Sequence, residues 1–488
     1  MRKPIDRIAL AILWLAFCLR LIALATRPIW YDDSFEVFLS EKDFAAIMSG
    51  GAADTMPPLH YGLVHIWLAL VGEMPFALRM LSVVLSMLVV ALVYAIAARG
   101  FGGRAGVWVA FFTALAPFQI YYAQDLRMYA LFAFAALLYT YAVLRLSARA
   151  RGAMVFVAAA TALALYSHNL AFLTLIAANV YFAWRKNWKT QGKLVVCQVA
   201  GALAFVPWLL YVPEQLAKVQ RAFWTQPPGI TDILQMLMMF TTYLPLPGVF
   251  LTGALFITLA IFVIATLELV RLFRRGAAPA LGLLVAFALV PPTLMFVASF
   301  FMRPIFVPRG VIASSLAYYI LLAVLAARAP RVGQGIIVGV TFVIAVSILP
   351  FYYTVWGEWR RAPFAEADQF LRGHAQADDL ILHDNKLSFF PMHFYDRALP
   401  QEFLADPPGS SNDTLARGSQ EAMNLFPIEF DAAVRGCSRV WFVIFQTAID
   451  EAAQEGHTQG NLARLDALMR RGDIISFGDL RIYRYEIR

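Results

Sequence analysis

The chain has 488 residues, of which 60% are hydrophobic, and its mean hydropathy is +0.65. A soluble globular chain is roughly 45–50% apolar, so this excess, arranged in long apolar runs, excludes an ordinary soluble protein. The net charge of +8 does not indicate nucleic-acid binding, because the basic residues form short clusters between apolar runs. Cys18, Cys197 and Cys437 lie far apart and predict neither a disulfide framework nor a metal cluster.

Apolar runs recur along the first two thirds of the chain. A bilayer core of about 30 Å requires roughly 20 apolar residues per helix. The first run has no small-residue cleavage site after it, so we expect a retained helix rather than a signal peptide. We predict eleven transmembrane helices, at 8–26, 78–98, 105–122, 128–146, 152–168, 170–184, 194–212, 249–270, 279–301, 310–327 and 333–352.

Basic residues favour every second connecting segment, which predicts the orientation in the membrane. The basic segments are 1–7, 99–104, 145–151, 185–193, 271–275 and 328–331. The intervening loops hold few basic residues. By the positive-inside rule the N-terminus is cytoplasmic, and an odd number of spans places the C-terminus outside. All of the unusual polar residues discussed below then fall on the outer side.

Two outer loops contain apolar stretches that are too short to span a bilayer comfortably. In the loop 27–77 these are 34–49 and 57–72, which we expect to lie as helices in the membrane interface. In the loop 213–248 the apolar run is 233–240. This second loop acts either as a lid over a site at the membrane surface or as part of an aromatic belt.

After residue 352 charges return and the long apolar runs stop. The segments 378–384 and 439–445 predict buried strands, and 461–471 predicts an amphipathic helix. The segment 473–487 predicts two strands around a Gly-Asp turn. We therefore predict a transmembrane domain over 1–352, followed by a small α/β domain over 353–488 on the outer side.

Carboxylates occur in two outer loops. Asp32 and Asp33 stand in WYDDS after the first span, and Asp125 stands in YYAQDLRMYA at the start of a later span. Acids at a membrane boundary are a functional-site hypothesis by default. Glycosyl transfer can use two such acids, one as a general base on the acceptor and the other to orient a substrate or a cation. The alternatives are a solvated loop for the pair, and for Asp125 a salt bridge with Arg127 or a helix N-terminal charge.

Basic and imidazole side chains lie on the same predicted face. Arg303 and Arg309 flank a turn in FMRPIFVPRG, where guanidinium groups could bind a phosphate bidentately. The alternative is that both reach the headgroups as snorkelling side chains. His60, His65 and His168 lack metal-ligand spacing. His168, at an outer helix end, is the best site candidate of the three, although a structural role accounts for it equally well.

Several short segments together resemble a known family. They are WYDDS (30–34), PPLHY (57–61), YYAQDLRMYA (121–130), LYSHN (165–169) and RPIFVPRG (303–310). In this order they resemble the successive signatures of bacterial GT-C glycosyltransferases, in the group related to protein O-mannosyltransferases and to the lipid A aminoarabinose and galacturonic acid transferases. The resemblance covers most of residues 10–325, and the tail resembles the outer α/β domain of many members.

The resemblance implies a polyprenyl-phosphate sugar donor, an inverting single displacement and catalysis on the periplasmic side of a bacterial inner membrane. The implied acceptor is a glycolipid such as lipid A, a polysaccharide or a protein. Some members of this superfamily use a divalent cation and others do not, so the sequence leaves a metal requirement open.

The resemblance also implies roles for individual residues. The first-loop acids of the family are usually Asp-Glu, so Asp32-Asp33 departs by one methylene, and the position in the motif favours Asp32 as the base. Asp125 corresponds to the second acid of the family, often Glu. We expect the carboxylates of Asp32 and Asp125 to meet in one pocket at the outer leaflet. The expected donor-phosphate residues are Arg127, Arg303 and Arg309, and the expected substrate-binding residues are His60, Tyr61, Tyr129 and His168.

Two other classes of protein compete with an enzyme. A transporter or flippase for lipid-linked sugars should show internal repeats, with broken helices at matching positions of two halves, and the sequence shows no such repeat. A non-catalytic membrane anchor for the outer domain would not need acids in two outer loops.

Overall fold

The structure is a computed structural model and describes residues 4–221, 225–242, 244–276, 278–354, 362–410 and 413–488. Contacts within the chain divide it into two compact units. The first unit comprises Met1–Leu24 and Asp54–Tyr353, and the second comprises Ala25–Ala53 and Thr354–Arg488. The stretch that includes WYDDS therefore belongs to the second unit, although its sequence neighbours on both sides belong to the first.

The secondary structure is mostly helical. The α-helices, in chain order, are α1 (Pro4–Leu21), α2 (Tyr31–Ser40), α3 (Phe44–Ala53), α4 (Leu59–Val71), α5 (Pro75–Phe101), α6 (Gly103–Leu115), α7 (Pro117–Ala123), α8 (Tyr129–Ser147), α9 (Ala153–Ser167), α10 (Ala171–Trp184), α11 (Trp188–Leu209), α12 (Val212–Arg221), α13 (Ile230–Thr241), α14 (Gly248–Arg274), α15 (Pro279–Ala298), α16 (Ile312–Arg328), α17 (Arg331–Thr354), α18 (Phe364–His374), α19 (Lys386–Tyr395), α20 (Arg417–Met423), α21 (Phe430–Val434), α22 (Gln446–Gln454) and α23 (Gly460–Leu468). A 3-10 helix (Pro308–Val311) precedes α16. The strands are β1 (Leu380–His383), β2 (Gln401–Phe403), β3 (Arg439–Phe445), β4 (Met469–Phe477) and β5 (Leu480–Ile487).

Each of the eleven predicted spans corresponds to helix in the first unit. By length and apolarity, seven helices of the described residues can cross a membrane, or up to eight if the bent pair α6–α7 forms one span. They are α5, α8, α11, α14, α15, α16 with its 3-10 turn, and α17. The predicted spans that form α1, α9 and α10 are not among them. The chain is thus a multi-pass membrane protein, while the predicted number of eleven spans is not confirmed.

The predicted span 105–122 is broken rather than straight. Its two parts, α6 and α7, are bent by 65°. Ala116 between them has an extended backbone (φ −65°, ψ 113°), and Pro117 is the first residue of α7. A residue before proline avoids the helical conformation, and proline fits the first turn of a new helix because it lacks an N–H group. The break directs α7 toward the irregular segment 124–128, which holds Asp125.

Small residues allow close helix packing in the first unit. A Cβ atom on Gly201 of α11 would fall inside contact distance of the Ala158 carbonyl oxygen on α9, and it would lie 2.7 Å from Thr161 Cβ. The helices α9 and α11 therefore touch through their backbones. Close approach through small residues is the usual means by which apolar helices pack in a bilayer.

The second unit is built on one mixed sheet, which in the described residues has the strand order β2-β1-β3-β5-β4. The strands β2, β1 and β3 are parallel, whereas β5 is antiparallel to both of its neighbours. The strands predicted over 378–384, 439–445 and 473–487 are present. The predicted helix over 461–471 ends early, at Leu468, because the chain then pairs as β4 with β5.

Residues 25–53 add two helices to the second unit. The helix α2 packs on α19, and α3 packs on α20. Every residue from Asp33 to Ser40 is buried. The first part of the stretch 34–49 is therefore packed into protein, whereas we expected an interfacial helix. The approach is close at Gly50, where a Cβ atom would lie 2.5 Å from Leu39 Cδ1.

Candidate functional site

In the first unit, Asp125 lies in the irregular segment between α7 and α8 and is 7% exposed. Its backbone carbonyl oxygen accepts a 2.7 Å hydrogen bond from Ser82 Oγ. The preceding Gln124 side chain donates to the backbone oxygens of Arg20 and Ile22, at 3.0 and 2.7 Å, and accepts from the Tyr352 hydroxyl at 2.9 Å. Several helices thus fix the backbone that presents this carboxylate.

Arg309, Tyr129 and His168 come from distant parts of the sequence and meet in the first unit. Arg309 Cζ lies 5.8 Å from the centre of the Tyr129 ring, which is within cation–π range. The Tyr129 ring lies 6.0 Å from the His168 ring and 4.8 Å from the Tyr122 ring. Gly310 permits this approach, since a Cβ atom there would lie 2.7 Å from Leu170 Cδ1.

The orientation of the His168 ring is defined by two contacts. The ring stacks on Phe132 with centres 4.8 Å apart, and Nδ1 accepts a 3.0 Å hydrogen bond from the Leu170 backbone N–H. Because Nδ1 is an acceptor, the neutral ring has its proton on Nε2. His168 therefore offers an N–H donor at Nε2 while remaining buried, with 4% of its surface exposed.

Charged groups of both signs converge on this place. Arg309 and Arg127 both act electrostatically on His168, and Arg309 and Asp125 both act on Tyr122. We call these six residues the cationic cluster: Tyr122, Asp125, Arg127, Tyr129, His168 and Arg309. The cluster brings two guanidinium groups and one carboxylate together. Guanidinium groups suit a phosphate, which arginine binds bidentately.

A second polar group lies beside the cationic cluster in sequence, because Asn169 follows His168. The Asn169 amide donates to the Thr55 backbone oxygen and, at 3.2 Å, to Gln215 Oε1. Nearby in the sequence, Asp54 accepts a 3.1 Å hydrogen bond from the Tyr61 hydroxyl and lies 3.7 Å from Lys218 Nζ. Of these residues the sequence predicts only Tyr61 as a site residue. Asp54, Gln215 and Lys218 are single polar residues, which give no periodic signal in the sequence.

The remaining residues predicted in the first unit have other surroundings. His60 is on α4 and 1% exposed, so its side chain is packed in the unit. The backbone N–H of Arg303 donates to Gln220 Oε1 at 2.9 Å, and the neighbouring Pro304 carbonyl accepts from Thr225 Oγ1. The predicted roles of His60 in substrate binding and of Arg303 in donor-phosphate binding stay predictions.

In the second unit, Asp32 and Asp33 occupy the first turn of α2 and have different surroundings. Asp33 is fully buried, and its Oδ2 accepts a 3.2 Å hydrogen bond from the Trp30 backbone N–H. An acid that reaches back to the residue before its helix is part of a capping arrangement. Asp32 is half-buried, also on the first turn of α2. These surroundings fit a structural role for Asp33 and leave Asp32 as the candidate base.

Residues of the C-terminal stretch hold the WYDDS segment in place. The Trp30 ring lies 6.2 Å from Phe364 and 6.0 Å from Phe445. The Ile29 backbone N–H donates to the Tyr395 hydroxyl at 2.9 Å. The Tyr31 ring packs edge-on against Phe390, with ring centres 5.1 Å apart. The position of Asp32 is therefore determined by the second unit itself.

Polar side chains follow the parallel strands of the sheet where those strands end. Asp384 follows β1 and accepts from Gln459 Nε2 at 2.8 Å and Asn461 Nδ2 at 2.9 Å. Lys386 is buried in an ion pair with Asp406, which follows β2. The carboxyl ends of parallel strands are a common binding location. Lys386 Nζ lies 5.9 Å from the Tyr31 ring centre, so this edge is next to WYDDS.

The described residues contain no group of three or more His, Cys, Asp or Glu side chains arranged to hold a metal ion. Asp32 and Asp125 belong to different units, so the pocket that we expected them to share stays a prediction.

Comparisons with known proteins agree with the sequence-based resemblance. Residues 55–211, less than half of the chain, match the family model described as dolichyl-phosphate-mannose-protein mannosyltransferase. A search of curated proteins found no match.

Solved structures show a related fold over nearly the whole chain. The crystal structure of ArnT from Cupriavidus metallidurans in the apo state has a TM-score of 0.67 and 16% identity, covering 97% of this chain and 97% of ArnT. ArnT bound to undecaprenyl phosphate has a TM-score of 0.67, 15% identity and the same coverage. The Archaeoglobus fulgidus oligosaccharyltransferase in complex with Zn and sulfate has a TM-score of 0.52 and 13% identity, covering 98% of this chain and 73% of that protein.

At these identities the structural matches establish a common fold. Together with the family match, they confirm the resemblance to GT-C glycosyltransferases. The predicted enzyme class, a glycosyltransferase, is confirmed as well.

Proposed function

We propose that this glycosyltransferase moves a sugar from a polyprenyl-phosphate donor to an acceptor of the bacterial cell envelope. The acceptor is a glycolipid, a polysaccharide or a protein. The reaction takes place at the periplasmic face of the inner membrane and inverts the anomeric carbon. The cytoplasmic N-terminus and the periplasmic second unit of this proposal rest on the alternation of basic segments along the chain.

The cationic cluster is the observation that supports this function most directly. Arg127 and Arg309 act on the same buried histidine, and the His168 Nε2–H group adds a neutral donor. As the bond between sugar and phosphate breaks, negative charge grows on the phosphate oxygens. Fixed donors aimed at that charge stabilise the transition state more than the ground state. A relative with the same fold was crystallised with undecaprenyl phosphate, a ligand with this kind of head group.

The proposed chemistry is a single displacement. The acceptor oxygen or nitrogen attacks the anomeric carbon, and the bond from that carbon to the phosphate oxygen breaks. The polyprenyl phosphate leaves with the electron pair, and the acceptor proton passes to the Asp32 carboxylate as general base. Asp125, whose backbone is fixed by Ser82, orients a substrate.

The test uses a strain that lacks the gene, complemented with variants of the full chain. We expect Arg309→Gln to reduce transfer by about two to three orders of magnitude, as removal of one charge-stabilising donor usually does. Arg328→Gln, in a predicted cytoplasmic segment, is the matched control and should restore full activity. Mass spectrometry of envelope glycolipids and glycoproteins measures the transfer. Wild-type levels of product with Arg309→Gln would remove the basis of the proposal.

A flippase for lipid-linked sugars is the second candidate, and the 65° break between α6 and α7 is the observation that favours it, because broken helices are typical of transporters. The same strain separates the two functions. Loss of a sugar decoration while the lipid-linked donor stays available outside indicates a transferase. Build-up of the lipid-linked precursor on the cytoplasmic side indicates a flippase.

A further inference from the structure

The described part of the first unit has an open cavity of about 360 Å³ that lies apart from the residues of the proposed reaction. The end of α8, the start of α9 and the start of α11 enclose it. Its basic side chains are Arg149, Lys189 and Lys193, and its apolar wall includes Met154 and Val155, which are 42% and 75% exposed. One surface thus combines cations with apolar side chains that are open to the surroundings.

Among the residues that the structure describes, the cations around the cavity have no acidic partner. Seven basic residues lie between positions 145 and 193, and no Asp or Glu occurs between Asp125 and Glu214. In the described ranges, no salt bridge involves any of the seven. Unneutralised cations around a cavity attract an anion from outside the protein.

Two of the basic residues occupy backbone conformations that favour glycine. Arg149 and Lys186 follow the ends of α8 and α10 with φ angles of 55° and 52°. This left-handed conformation favours glycine after a helix, and a branched or long side chain there has a conformational cost. Basic side chains nevertheless occupy both positions.

The surroundings of the cavity indicate the depth of the headgroups. Trp184 and Trp188, on either side of the turn that contributes to the cavity, are 68% and 63% exposed. Exposed tryptophans concentrate at the membrane–water interface. Val155 and Met154 then face the acyl region, while Arg149, Lys189 and Lys193 face the headgroups. A free anion would contact only the basic side chains, whereas a phospholipid would contact the basic side chains with its head group and the apolar wall with an acyl chain.

We propose that this cavity is a binding site for the head group of an anionic phospholipid. Its ligand has a phosphate that the three basic side chains contact and an acyl chain that runs along Met154 and Val155. Basic pockets between transmembrane helices on the cytoplasmic side are a known form of lipid recognition. The site is independent of the proposed sugar transfer and lies in the basic segments predicted to be cytoplasmic.

The experiment titrates the purified full chain, in a neutral detergent, with dioleoyl phosphatidylglycerol. Dioleoyl phosphatidylcholine and inorganic phosphate are titrated in parallel. Native mass spectrometry counts bound lipids, and the thermal unfolding temperature is recorded. The test variant is Arg149→Gln/Lys189→Gln/Lys193→Gln. The control, Arg274→Gln/Arg275→Gln/Arg328→Gln, removes the same charge from basic segments outside the cavity.

We expect phosphatidylglycerol to bind the wild type and raise its unfolding temperature, while phosphatidylcholine and phosphate do neither. The cavity variant should bind phosphatidylglycerol about a hundredfold more weakly, since each basic residue contributes on the order of a fivefold gain in affinity near anionic lipid. The control variant should bind like the wild type. The single change Lys189→Glu tests the same site with less disturbance and should weaken binding at least as much as Lys189→Gln.

Two results would overturn the proposal. Equal loss of affinity in the cavity variant and the control would mean that the basic face attracts anionic lipid without a particular site. An equal rise in unfolding temperature with inorganic phosphate would mean that the cavity binds a small anion and makes no use of its apolar wall.

Discussion

Asp32 and Asp33 are neighbours in the sequence, but the structure gives them different surroundings. Asp33 is buried and its carboxylate accepts from the Trp30 backbone, whereas Asp32 stays half-buried on the first turn of α2. The pair could be found from the sequence because adjacent acids after an apolar run are unusual. The difference between them could not, because it depends on the turn at which α2 begins.

Substitutions should distinguish a catalytic role of Asp32 from a structural role of Asp33. We expect Asp32→Asn to reduce transfer by two orders of magnitude or more, the usual effect of removing a general base, with little change in unfolding temperature. Asp33→Ala should lower the free energy of unfolding by about 1 kcal/mol through loss of a helix cap. Asp33→Asn, which keeps an acceptor oxygen, should restore part of that stability. Equal loss of transfer without loss of stability in Asp33→Asn would contradict this assignment.

At the scale of elements, contacts between helices and pairing between strands determine where a helix bends or ends. The local sequence pattern alone does not show these positions. Proline in the sequence APFQ signals the break before α7, yet the 65° bend depends on packing. The helix α23 ends and β4 begins because Met469 pairs with Ile487 in the hairpin β4–β5. The amphipathic pattern that predicts a longer helix does not include this pairing.

The crossing of α9 and α11 can be tested with one methyl group. Gly201→Ala places a Cβ atom against the Ala158 carbonyl oxygen, so the helices must separate and we expect a lower unfolding temperature. Gly192→Ala in the same helix meets nothing within 4 Å. Because alanine is the better helix former by about 1 kcal/mol, this control should be neutral or stabilising. An equal effect of both changes would contradict backbone contact at Gly201.

A buried polar network links four elements of the second unit. Ser388 Oγ donates to His383 Nδ1 at 3.0 Å, His383 Nε2 donates to Gln401 Oε1 at 2.7 Å, and Gln401 Nε2 donates to Asp368 Oδ1 at 3.0 Å. Burial raises the pKa of Asp368 to about 9 and lowers the pKa of His383 to about 3. Both groups are therefore neutral at physiological pH.

This network predicts how the stability of the second unit varies with pH. Above an ordinary carboxyl pKa of about 4, the unfolded chain releases the proton that folded Asp368 keeps, so stability falls as pH rises toward 9. Below pH 6.5, the unfolded chain binds a proton at His383 that the folded chain does not bind, so this group makes stability rise with pH. The net decline should therefore be seen between about pH 6.5 and 9.

Asp368→Asn, which resembles the protonated acid, should reduce that decline. Hydrogen exchange of β1, corrected for the intrinsic effect of pH on exchange, measures the change. A decline of equal slope in the variant would contradict the protonated state of Asp368.

At the scale of the whole molecule, the second unit is discontinuous in sequence. The change in composition after residue 352 signals an α/β domain, and its principal strands are predictable from short apolar runs. The membership of residues 25–53 is not predictable in this way, because it depends on contacts such as Trp30 with Phe364 and Phe445, more than three hundred positions apart. The periplasmic location of this unit remains part of our proposal.

A substitution at Tyr395 tests whether the second unit holds Asp32 in position. Tyr395→Phe removes the hydroxyl that accepts from the Ile29 backbone, at a cost of about 1 kcal/mol. We expect a severalfold lower turnover with unchanged binding of undecaprenyl phosphate, since the change loosens the segment that precedes Asp32. Tyr483→Phe, on β5 of the same unit, is the control. Unchanged turnover in Tyr395→Phe would show that Asp32 is held without this bond.

The insertion of residues 25–53 has a practical consequence for anyone who cuts the gene. A fragment that starts at residue 354 would lack the indole between Phe364 and Phe445 and would present an unfilled core to solvent. Soluble expression of the tail should therefore need the earlier segment spliced back by a linker. By the same reasoning, a premature stop codon before residue 354 would remove the residues that α2 packs against. We therefore expect a chain truncated there to lose the support of the WYDDS segment.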